Sequence, residues 1–192
     1  MGDDLGARER EVHAAARAVL AFWFDETPAD KWFARDEALD RAIVERFGAL
    51  RDDVLSTEAS GWIGDPDTLL AAVVLLDQFS RNIYRGTGEA FAADGLALDL
   101  THRALARGWD EAIPDERRAF LYMPLMHAED REEQRFSVQC FTRLGHADNL
   151  EFAKAHRRVI DRFGRFPSRN AALGRFSTEA EEAYLSQPGA GW

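Results

Sequence analysis

The stretch DPDTLLAAVVLLDQFSRNIYRG, residues 65–86, decides how the chain is read. Asp65 followed by Pro66 is a helix start: the carboxylate caps exposed amides, and the proline ring presets the first helical φ. Eight apolar residues follow, Leu69 to Leu76, so this helix is apolar nearly all round and belongs at the centre of a fold. Its second half then turns polar. Asp77, Arg81 and Arg85 are spaced by four and are expected to share one face, with Gln78 and Asn82 beside them. Charges continuing a central helix are expected to be partly buried, and buried charges need partners or a ligand. One reading is a self-satisfied Asp–Arg ladder that orients neighbouring helices. The other is one wall of a binding site.

Outward from this segment the chain keeps the helical period. Helices are expected over about Ala7–Trp23, Asp36–Leu55, Pro66–Tyr84, Ala90–Arg107, from Pro114 to a break or kink at Pro124, Glu129–Leu144, Ala147–Phe163, and a short last one to Leu185. Gly108, Gly145 and Gly164 are read as stops, and Thr178 with Glu181 as a capping box. No run alternates β-branched and polar residues, so strands are not expected. The chain of 192 residues reads as one all-α domain, residues 1–192, with about eight helices in antiparallel pairs. A closed bundle and a stack of helix pairs both suit this pattern, and no strict 34-residue repeat decides between them.

Composition narrows the function classes. A hydrophobic fraction of 46% supports a full core, and no apolar run is long enough to cross a bilayer. No signal peptide is evident, and one cysteine, Cys140, excludes an internal disulfide and a multi-cysteine zinc site. A cytoplasmic protein is expected. A net charge of -10 disfavours nucleic acid and anionic membranes as partners. Walker A, GxGxxG, GxSxG and HExxH patterns are absent, and no cofactor or metal is expected.

Two further clusters stand out. In MPLMHAED, residues 123–130, His127 and Glu129 sit where one helix ends and the next begins, with Gln134 seven residues beyond His127. A corner histidine near a carboxylate suits acid–base chemistry, or an open metal site with His156. It also suits plain capping, with Glu129 favoured at a helix N-terminus. In HRRVIDRFGRFPSRN, residues 156–170, and on to Arg175, six arginines meet one acid, Asp161. Arg158 and Arg162 are expected to cap carbonyls or pair with surface acids. Arg165 and Arg169, on a turn stiffened by Gly164 and Pro167, are expected to contact a ligand, with Asn170 alongside.

LLDQFSRNIYR, FLYMPLMHAED, HRRVIDRFGRFPSRN followed by LGRFSTEAEEAYL, and the earlier VLAFWFDE at residues 19–26 together resemble the bacterial domain of unknown function 924, over roughly residues 14–185. The resemblance implies an all-helical, tetratricopeptide-like right-handed superhelix and no established activity. Ala128 stands where many relatives have a serine that would cap the next helix, and Ser168 where many have histidine. A catalyst that depended on that histidine would be poor in this chain.

Three functions follow as expectations. The first is an arginine-rich pocket built from the residues above, with Asp77 offsetting only part of the positive charge of Arg81 and Arg85. It would bind a small anion carrying phosphate or carboxylate, with His127, Glu129 or His156 as candidates for acid–base catalysis. The second is an adaptor that clamps a peptide or its C-terminal carboxylate. The third is a structural ion-pair network without a ligand.

Overall fold

In a computed structural model, residues 2–191 are described, with side chains from Gly6 onward. Among them every regular element is helical and none is a strand. Helix α1 (Gly2–Leu20) continues as a π-helical segment (Ala21–Glu26), and α2 spans Glu37–Ser56. Helix α3 (Pro66–Val73) passes through a second π-helical segment (Val74–Phe79) into α4 (Ser80–Ile83), forming one rod. Then come α5 (Asp94–Ala106), α6 (Asp115–His127), α7 (Arg131–Leu144), α8 (Ala147–Phe163) and α9 (Glu179–Leu185).

The punctuation explains most of these boundaries. Asp36, Asp65 and Asp130 each accept two backbone amides of the helix they precede. Thr178 and Glu181 form the reciprocal capping box. Gly145 and Gly164 end α7 and α8 with φ of 80° and 72°, a region that other residues enter at a cost.

Leu69 to Leu76 are wholly buried and form the centre of the core. Helix α3 packs on α1, α5 and α6, while α2 lies on the rod's second half. Helices α5 to α8 follow, each packed on the next. No helix among the described residues is long and apolar enough to cross a membrane.

Three expectations need correction. Pro124 does not end α6, which runs three residues further to His127. The Thr101 hydroxyl donates to the Leu121 carbonyl at 2.9 Å, within the turn that the proline ring crowds, and so ties that turn to α5. Glu129 lies outside α7, because Asp130 takes the capping position and α7 begins at Arg131. Position 128, which closes α6, is for the same reason not the N-cap of α7.

The two π-helical segments carry no sequence signal. They meet across the core, where Phe79 of the second packs against Phe22 and Trp23 of the first, at ring-centroid distances of 5.9 and 5.3 Å. The Trp32 indole N–H donates to the Trp23 carbonyl at 2.8 Å and supports the first segment from outside.

Candidate functional site

The π-helical segment Val74–Phe79 sets Asp77 inside the fold, and α6 ends with His127 beside it. His127 Nδ1 lies 2.7 Å from Asp77 Oδ1. The Gln78 amide donates to Asp77 Oδ2 at 2.6 Å, and Arg81 Nη1 lies 3.2 Å from Oδ1. Burial works against ionising Asp77, but Arg81 and His127 outweigh it and hold the carboxyl well below its usual range. An ionised carboxylate only accepts, so the proton shared with His127 sits on Nδ1 and the Nε2 lone pair is left for chemistry. Burial pushes the His127 pKa down, with Asp77 opposing, so the ring is neutral near pH 7. The His127 side chain keeps 14% exposure while that of Asp77 keeps 1%.

Asp94, the first residue of α5, joins this pair to the basic turn. Arg81 grips both Asp94 oxygens, at 3.0 and 3.1 Å. Arg169 reaches Asp94 Oδ2 at 3.0 Å and the His127 carbonyl at 2.9 Å. Both guanidiniums lie over the Phe91 ring, and Arg169 also over Phe166. Burial lowers the Arg169 pKa to about 10, so it stays charged at neutral pH.

The other expected site residues divide between this centre and two neighbouring clusters. Arg85, which lies beyond the end of α4, and Asn82 within it both bond Asp40 of α2. Glu129 accepts both Nη groups of Arg175 and the Phe166 amide, which overcome the effect of burial and keep its carboxyl low. Arg165 points to Glu181, at 2.6 and 2.8 Å, and holds that carboxyl at about 2. Asn170 bridges Ser177 and Arg175. Gln134 donates to the Met126 and Ala128 carbonyls and so closes the end of α6. His156 lies behind His127 with ring centroids 6.0 Å apart, its Nδ1–H donating to the Phe152 carbonyl.

The three motifs therefore meet in space, through Arg169 and not Arg165. The expectation of surplus positive charge is corrected: Asp77, Asp94 and Glu129 stand against Arg81, Arg169 and Arg175, and both histidines are neutral. Asp94 and Arg175 were not among the expected site residues. Arg175 shared the basic run, whereas Asp94, alone in AADGLAL, carries no signal. Two surface cavities, of about 250 and 320 Å³, lie elsewhere, although Met123, which touches Gln78, also lines the larger. Among the described residues no three His, Cys, Asp or Glu side chains are grouped to hold a metal.

This arrangement sets a pH response. Burial, with His127 and Arg169 adding repulsion, lowers the His156 pKa to about 3. The unfolded chain takes up that proton below about pH 6.5, and the folded chain does not until about pH 3. Stability therefore falls as the pH drops from about 6.5, by up to ~1.4 kcal/mol per pH unit for each such histidine. Urea unfolding between pH 6.5 and 4.5, above most carboxylate titration, is expected to show this slope. His156→Asn, which keeps a donor near Nδ1, is expected to make it shallower; an unchanged slope would mean that His156 is protonated in the fold.

The comparisons with known proteins agree with this architecture and give no activity. No curated protein matches the chain. A solved structure of a protein of unknown function from Agrobacterium tumefaciens is similar, with 38% identity, a TM-score of 0.86, and coverage of 91% of this chain and 98% of that one. The model for bacterial proteins of unknown function DUF924 matches residues 19–189, which include Asp77, Asp94, His127 and Arg169, and the chain thus belongs to the DUF924 family.

Proposed function

We propose that the chain binds a small anionic molecule at the end of α6 and that His127 acts there as a general base. The observation that supports this best is the 2.7 Å contact between the deeply buried Asp77 and the partly open His127. Asp77 fixes the tautomer and orientation of the ring, so Nε2 can accept a proton. Arg81 and Arg169 would hold the ligand's carboxylate or phosphate. A guanidinium has five N–H donors; the contacts above use three of Arg81 and two of Arg169, leaving donors for an anion.

A second reading has an observation of its own. Asp94 neutralises both arginines, so the six charges can form a scaffold with no ligand. Thermal shift over a panel of phosphorylated and carboxylated metabolites separates the two. A short free-acid peptide and its amide belong in the same panel, to test the adaptor role. The binding reading expects at least one anion to raise the melting temperature of the wild type but not of Arg169→Ala. If no anion does so, or if both proteins respond alike, the scaffold reading stands.

We also take residues 1–192 as one cytoplasmic domain with tetratricopeptide-like stacking. The successive packing of α5 to α8 supports the stacking, and the buried free Cys140 suits a reducing compartment.

A further inference from the structure

The arginines left over from the basic run point to a different surface. Of the six between residues 156 and 175, four have carboxylate partners: Arg157 with Asp161, Arg165 with Glu181, Arg169 with Asp94 and Arg175 with Glu129. Arg158 and Arg162, the two expected to cap carbonyls or pair with surface acids, take part in none of the ion pairs among the described residues. Glu151, which feels Arg158, is bonded to Lys154. Arg158 and Arg162 are one turn apart on α8, and both line the cavity of about 250 Å³. Val159 and Ala155 supply apolar wall, and Phe163 of α8 and Tyr184 of α9 face each other with ring centroids 5.3 Å apart. The Arg162 guanidinium rests 4.6 Å from the centre of the Phe163 ring, which limits its freedom.

We propose that this cavity between α8 and α9 is a separate binding site for a small single-ring anion, an aromatic carboxylate or phosphate. Three features select that class. Two unpaired guanidiniums one turn apart can share one carboxylate or phosphate. The Phe163 and Tyr184 rings and the Val159 side chain favour a flat apolar body. The volume lies just under the usual range for ligand pockets, about 300–1,000 Å³, which admits one ring and little more. On a protein of net charge -10, two neighbouring arginines outside any ion pair are a local exception and are not explained by overall charge.

Titration calorimetry at low salt with phenyl phosphate, benzoate and inorganic phosphate tests the site. Phenyl phosphate is expected to bind at least ~10-fold more tightly than inorganic phosphate, since ring burial adds to the charge contacts. The double variant Arg158→Glu/Arg162→Glu is expected to lose at least ~10-fold in affinity for both aromatic anions. Both arginines are exposed, so the fold is expected to survive, with unchanged circular dichroism as the check. Should charge reversal unfold the chain, the double alanine variant makes the same comparison. No binding of either aromatic anion to the wild type, or equal binding by the arginine variant, overturns the proposal. Inorganic phosphate binding as tightly as phenyl phosphate overturns the role of the rings.

Discussion

Asp77→Ala is expected to cost about 3–5 kcal/mol of stability, the range for removing one partner of a buried ion pair. His127 Nδ1–H and the Gln78 amide would lose their acceptor inside the protein, and Arg81 would lose one of its two carboxylates. For a chain of 192 residues this corresponds to a fall in Tm of roughly 6–20 °C. Asp94→Ala is expected to cost less, although Asp94 touches two arginines, because its side chain is 19% exposed and water can take over part of its role. Urea unfolding of the two variants side by side measures the difference. A loss below about 1 kcal/mol for Asp77→Ala would mean that the pair is not buried as described.

Trp23→Ala is expected to be comparably damaging, at about 3–5 kcal/mol. Trp23 is fully buried and its ring packs edge-on against Phe79 and Phe120 and stacks on Trp32. Removing it opens a cavity between the two π-helical segments. Trp23→Phe is a sharper test. The Trp23 indole N–H is buried with no acceptor, so the native residue already carries an unsatisfied donor. Phenylalanine removes that donor while keeping much of the ring contact, and is expected to retain most of the wild-type stability. If Trp23→Phe loses as much as Trp23→Ala in denaturant unfolding, the indole N–H has a partner in solution.

Helix positions were legible because their ends are written in local chemistry: Asp65–Pro66, Thr178 with Glu181, Gly145 and Gly164 each act within a few residues of themselves. Pro124 reads as a break or a kink, and of these the break is excluded because α6 runs on to His127 inside a buried core that holds its last turn. The convergence of the three motifs was legible too, since each set charge against strongly apolar helix. The pairing within it was not. Arg165 and Arg169 are alike in sequence, and only the turn between α8 and α9 sends one to Glu181 and the other to Asp94. Counting acids near the arginines in sequence gave a surplus of positive charge, because Asp94 and Glu129 are 75 and 46 residues from their partners. The π-helical segments have no composition that separates them from α-helix, and Asp40, which takes Arg85, is 45 residues from it in sequence, so that pairing could not be read either.

The sequence distance between Asp94 and Arg169 also bears on how the protein is made. At ~5–20 residues per second, a ribosome adds Arg169 roughly 4–15 s after Asp94. Arg81, only 13 residues from Asp94, is already present when Asp94 is made. A nascent chain can therefore hold Asp94 with one cation early and gains the second only after 75 more residues have been added. Arg175 reaches Glu129, and Glu181 reaches Arg165, later still. The ion pairs around the candidate site cannot all close until the segment from Arg169 to Glu181 has been made, so that segment is the one that completes them.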